Sequence, residues 1–206
     1  MAAPSIRLVV GLGNPGAQYE RTRHNAGWWF LDAMLARHRA SWRLERAQQV
    51  ELARVRIGSE ELWLAKPQSF MNHSGTPVSA VAHFYRIAPA EILIVHDEID
   101  LPPGVARIKQ GGGHGGHNGL RDVIAHIGAD FWRLRLGVGH PGSRDQVLGA
   151  VLDRPPASEQ ALIEEAMQRA LDCLPDLLCG EAQKAMHRLH TGNPETAGRA
   201  GNPGAQ

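Results

Sequence analysis

The chain holds only two cysteines among its 206 residues, so a disulfide framework is not expected. Cys173 and Cys179 lie six residues apart in a helical stretch, on different faces, which also argues against a zinc site. No apolar run approaches the ~18 residues that a membrane span needs. No signal segment is read, because the N-terminal MAAPSIR leads straight into a first strand. A G-x-S-x-G elbow is missing and neither cysteine falls in a polar loop, so a nucleophilic Ser or Cys is unsupported. The net charge is only +1, which excludes a global polyelectrolyte attraction. These absences lead to the expectation of a reduced, cytoplasmic protein with no membrane contact.

The composition that remains, 43% hydrophobic and 21% charged, is that of one globular domain with a proper core. Ile6–Val10 is a short apolar run rich in β-branched residues that reads as a buried strand, and Ile92–His96 is a continuous apolar strand of the doubly buried kind. Val50–Ile57 and Glu61–Ala65 flank Gly58-Ser59 and read as a hairpin. Val105–Lys109 and Phe131–Val138 read as further strands, whereas Trp42–Ala47 is ambiguous. Helical patterns cover Ala26–Arg39, Pro77–Arg86, Gly119–Ile127 with Asn118 as its N-cap, Ser158–Leu178 and Glu181–Leu189. Alternating strands and helices predict an α/β fold: a single-domain three-layer sandwich with a mixed central sheet flanked by helices. The domain is expected over 1–190, with a disordered Gly- and Pro-rich tail over 191–206.

The first strand breaks at Gly11 into a loop that carries Asn14, Tyr19 and His24. Gly11-Leu12-Gly13-Asn14-Pro15-Gly16 satisfies the dinucleotide fingerprint G-x-G-x-x-G. Yet Pro15 pushes Asn14 out of the helical region, about eight polar residues follow before any helix, and no acidic residue closes a second strand. A rigid turn that aims Asn14 and His24 at one place fits better. Other loops at strand ends hold Phe70, Met71 and Asn72, then Asp97, then His114, His117 and Asn118. Ligands of open α/β sheets bind at such ends. A histidine near neutral pKa with a carboxylate partner can activate water, a step of modest power that suits an ester better than an amide. Asp97 is the favoured partner of His24, with Glu98 and Asp100 as alternatives. Asn14 also serves its own turn, and Asn72 and Asn118 also suit helix caps. Histidines separated by glycines fix no tetrahedral geometry, so neither a metal nor a cofactor is expected. Between Arg107 and Arg144 six basic residues face two acidic ones, which reads either as a solvated face or as a phosphate-binding surface.

Together VGLGNPGAQYERTRHNAG (10–27), KPQSFMNHSG (66–75), HDEIDLPPGVARIKQGGGHGGHNGLRD (96–122) and RLRLGVGHPG (133–142) resemble the bacterial-type peptidyl-tRNA hydrolase family. The resemblance implies hydrolysis of the ester that joins a peptide, or an N-blocked amino acid, to the 3′ end of tRNA. By similarity His24 is the catalytic base, Asp97 stabilises it, and Asn14 discriminates blocked from free aminoacyl-tRNA. Tyr19, Phe70, Asn72 and Asn118 match positions that contact the tRNA or its peptidyl end, while Met71 and His117 line the same cleft. Lys109, Arg135 and Arg144 match basic residues that grip phosphates; Arg144 stands where Lys is common. The implied partner is peptidyl-tRNA, and the expected state is a monomer. A non-catalytic RNA-binding module on the same scaffold is the alternative.

Overall fold

The computed structural model describes residues 5–193. Its seven strands are β1 (Leu8–Gly11), β2 (Arg43–Glu45), β3 (Val50–Ile57), β4 (Glu60–Pro67), β5 (Ile92–Glu98), β6 (Ala106–Gln110) and β7 (Trp132–Gly137). They form one sheet in the order β2-β3-β4-β1-β5-β7-β6. β1 lies between β4 and β5 and is parallel to both; β7 joins β5 in parallel, while β2, β3 and β6 add antiparallel pairings at the two sides. The apolar runs at β1 and β5 are explained by this position, since every residue of β1 and all but the last of β5 are buried.

The helices are α1 (Ala26–Arg37), α2 (Gly75–Phe84), α3 (Asn118–Ile127), α4 (Val147–Val151), α5 (Ala157–Leu178) and α6 (Ala182–Thr191). One core, around Val9, Phe30, Leu93, Leu134 and Leu174, packs α1, α5 and α6 on one face of the sheet. The other, around Val10, Val78, Ile94 and Val123, packs α2 and α3 on the opposite face. The three-layer sandwich with a mixed sheet is therefore observed. β2 resolves the ambiguous stretch, and the loop expected after His140 winds into a short 3-10 turn, Arg144–Gln146, and α4. Pro175 stays inside α5 without ending it.

The expected tail boundary needs correction. α6 continues through Thr191, and Asn193 is buried against the outer edge of β6. There its side chain accepts from the Ala106 N–H (3.1 Å) and donates to the Ala106 carbonyl (2.9 Å), while His190 Nε2 accepts from the Ile108 N–H (3.0 Å). Two side chains thus do for this edge what another strand would do. The rest of the proposed tail, 194–206, lies outside the described residues.

The glycines of the first loop serve close packing. A Cβ on Gly11 would meet the carbonyl of Gly27, and one on Gly13 would lie 2.7 Å from the Trp28 ring. A Cβ on Gly27 would stand 2.6 Å from the backbone N and O of Leu12 and against the Val95 carbonyl. α1 can approach β1 and β5 this closely only without a side chain there. Gly27→Ala is expected to cost about 1–3 kcal/mol or more, lowering Tm by roughly 4–10 °C, because backbone on both strands would have to move. Thermal unfolding of the variant checks this; an unchanged Tm would mean that the junction is loose.

Candidate active site

β1 and β5 run side by side in parallel, with Gly11 opposite Val95, so the segments that follow them leave the sheet together. β5 continues to Asp97. The chain after β1 turns through Asn14 and Tyr19, then enters a short 3-10 turn, Arg23–Asn25, directly before α1. This brings His24 Nδ1 to 2.9 Å from both carboxylate oxygens of Asp97. Glu98 and Asp100 are not the partner: Glu98 accepts from Arg135 and from the Asp100 N–H. Both His24 and Asp97 are buried.

A second imidazole reaches the same carboxylate. His117 Nε2 lies 2.9 Å from Asp97 Oδ1, and its ring centroid is 4.9 Å from that of His24. His117, not Asn118, caps α3: its Nδ1 accepts from the Gly119 and Leu120 N–H groups at 3.1 and 3.3 Å. Asn is the commoner capping residue, but here the Asp97 contact holds the histidine at the helix entrance. Asn118 begins the helix, is exposed, and accepts from Arg121.

Asn14 is fixed from two sides. Its Oδ1 accepts from the Met71 N–H at 2.7 Å. Asn25, fully buried and missed by the sequence reading, accepts from the Asn14 N–H and donates to its carbonyl at 2.9 and 3.0 Å. Because Oδ1 is taken, the Asn14 amide offers its NH₂ as the free end. Met71 then bridges to α3, where a Cβ on Gly119 would lie 2.5 Å from its sulfur. Asn72 is exposed in the 3-10 turn Met71–His73. Tyr19 and Phe70 meet edge to face at 6.3 Å, with Phe70 55% exposed.

The charges sort clearly. Burial alone would push His24 down, but the charge and hydrogen bond of Asp97 more than reverse this and raise its pKa above 6.5. Burial likewise opposes ionisation of Asp97, yet the two imidazoles hold it well below the usual carboxylate range. Behind them His96 is buried and donates from Nδ1 to the Asp97 carbonyl at 2.7 Å; burial pushes its pKa down to about 3.

His24, Asp97 and His117 also form a donor set of metal-ligating type. The hydrogen bonds speak against a cation on all three. With Nδ1 of His117 accepting from two amides, the single proton of a neutral ring sits on Nε2, and no lone pair remains there for a metal. The nearby hydroxyls of Ser69 and Ser74 donate to backbone carbonyls, which makes neither an activated nucleophile.

Arg107 pairs in register with Arg135, and Lys109 with Arg133, so four cations share one face of β6 and β7. Arg133, buried and absent from the sequence-based site, donates to the carbonyls of Gly112 and Gly113 and ties down the glycine loop. Arg135 pairs with Glu98 at 2.9 Å. Burial first, then the positive charges of Arg135 and Arg133, lower the Lys109 pKa. Arg144 opens its 3-10 turn; its side chain lies outside the described part.

A buried imidazole–carboxylate pair beside the central parallel strands of an α/β sandwich is the equipment of an enzyme that activates water, and among the described residues no Ser or Cys side chain is hydrogen-bonded to that imidazole. A family model described as peptidyl-tRNA hydrolase matches residues 8–197. The chain is 54% identical over 185 residues to a peptidyl-tRNA hydrolase of Acidithiobacillus ferrooxidans, covering 89% of this chain and 98% of that protein. It is 50% identical over 188 residues to one of Neisseria meningitidis, covering 91% and 98%. The crystal structure of the Acinetobacter baumannii peptidyl-tRNA hydrolase superposes with a TM-score of 0.90 at 45% identity, covering 92% and 96%. The chain belongs to the peptidyl-tRNA hydrolase family. Nothing in these likenesses supports the binding-only alternative.

Proposed function

We propose that His24 is the general base by which this enzyme hydrolyses peptidyl-tRNA. The observation that carries the reading is the His24–Asp97 pair: Asp97 engages Nδ1–H and leaves Nε2 as a free base. His24 takes a proton from water, the hydroxide attacks the ester carbonyl, and the proton passes to the departing 3′ oxygen. The products are a free peptide and a tRNA with its 3′ hydroxyl. Asp97 stabilises the imidazolium that forms in between. An ester is reactive enough for such a base to suffice without a covalent intermediate.

The free NH₂ of Asn14 hydrogen-bonds the peptidyl part and favours N-blocked over free aminoacyl groups. Asn72 and Asn118 add neutral hydrogen-bonding groups at the rim, beside Met71 and His117. Tyr19 and the exposed Phe70 offer ring faces to the unpaired 3′ nucleotides. Lys109, Arg135 and Arg144 grip phosphates, which carry no base identity and so admit many tRNAs. Like charges crowded beside the single carboxylate of Glu98 support this, since an anion would relieve their repulsion. Cytoplasmic, monomeric action belongs to the same reading, supported by a site assembled within one chain. Among the described residues no helix is long and apolar enough to cross a membrane.

The test is kinetic. Wild-type protein is expected to cleave N-acetyl-aminoacyl-tRNA far faster than the unblocked form. Lys109→Ala and Arg135→Ala are expected to raise KM more than they lower kcat, each reducing the salt slope of tRNA binding by about one unit. Equal losses on a short ester lacking tRNA would end the phosphate assignment.

A further inference from the structure

His117 does two things with one ring. Nδ1 caps the N-terminus of α3 through Gly119 and Leu120, and Nε2–H is bound to Asp97 Oδ1. His24 uses the same oxygen, and also Oδ2. The two imidazoles therefore compete for one carboxylate. The acceptor role of Nδ1 leaves His117 a fixed donor toward Asp97, and His96 stands behind it with ring centroids 5.1 Å apart. The charge that acts on His24 is that of Asp97. Arg23, next to His24, is turned to Glu159 of α5 and to the carbonyls of Ala150 and Asp153.

We propose that His117 is a positioning residue that tunes the base: by occupying Asp97 Oδ1 it limits how tightly the carboxylate holds a proton on His24, so that His24 is free to act near neutral pH. This rests on the general-base reading above. A base that Asp97 alone held charged would be idle in the pH range where the enzyme must take a proton from water. α3 supplies the fixed point, since its first amides orient the ring.

His117→Asn separates the two roles. Asn is a good N-cap, so α3 keeps its start, but its side chain is too short to reach Asp97. His117→Gln is the converse, an amide N–H with the reach to donate to Asp97. The readout is the titration midpoint of the His24 ring by NMR, together with the midpoint of the acid limb of kcat/KM. In His117→Asn both midpoints are expected to rise by about one pH unit, a tenfold tighter hold on the proton. In His117→Gln they return toward the wild-type value. A midpoint that stays put or falls in His117→Asn, or a rate loss equal at every pH, overturns the proposal. An acid limb that survives in His24→Ala overturns the general-base reading, and the tuning with it. A limb that needs His24 but ignores His117 sinks the tuning alone.

Discussion

Replacing His24 with alanine is expected to slow cleavage of N-acetyl-aminoacyl-tRNA by roughly 10²–10⁴-fold, the range that a positioned general base supplies. Binding of the tRNA should survive, because the cations of β6 and β7 lie on other elements and owe nothing to the Arg23–Asn25 turn. The variant leaves Asp97 with one side-chain donor, Nε2–H of His117, where it had two. Asp97 therefore stays partly satisfied, and the fold should persist although the buried carboxylate is less well paired. Single-turnover cleavage and filter binding on the same preparation separate the two effects. Cleavage at the wild-type rate would move the base elsewhere; loss of binding in step with cleavage would place His24 in tRNA recognition instead.

The main lines of the site are legible in the sequence because parallel-strand burial leaves a plain signature. β1 is apolar throughout and β5 is apolar from Ile92 to Val95, so the polar end of β5 at Asp97 and the polar, His24-bearing loop that follows β1 both stand out as candidates. The glycines of the first loop were harder. Their pattern matches a nucleotide fingerprint, and only the fold shows that Gly11 and Gly13 make room for Gly27 and Trp28. Local pattern also fails where a tertiary contact outvotes propensity. Asn118 is the better intrinsic cap, but Asp97 holds His117 at the helix entrance, and no short-range rule contains that carboxylate. Alternation along β7 sets Arg133 and Arg135 on one side, but no strand pattern tells that the glycine loop folds over Arg133 and leaves Arg135 only part-buried beside Glu98. The tail boundary is missed for a related reason: an Asn that completes a strand edge beside a His buries little apolar area and leaves no hydrophobic trace.

Asp97→Asn is expected to be as damaging as loss of the base, on the order of 10³–10⁴-fold in kcat, although the replacement is almost the same shape. Both imidazoles aim an N–H at Oδ1, so the new amide would set its oxygen there and its NH₂ at the Oδ2 position. That NH₂ then faces His24 Nδ1, which sits 2.9 Å from Oδ2. Two donors cannot share that line. His24 relieves the conflict by moving its proton to Nε2, which turns the nitrogen aimed at water from a base into a donor. The variant also removes the negative charge that stabilises the imidazolium, and burial then acts on His24 unopposed, so any residual acid limb should lie below that of the wild type. The opposite shift, or a rate close to wild type, would mean that Asp97 neither orients nor charges the base. A variant that keeps its fold and its tRNA affinity while losing turnover would tie the rate to the carboxylate's charge and to the tautomer it imposes.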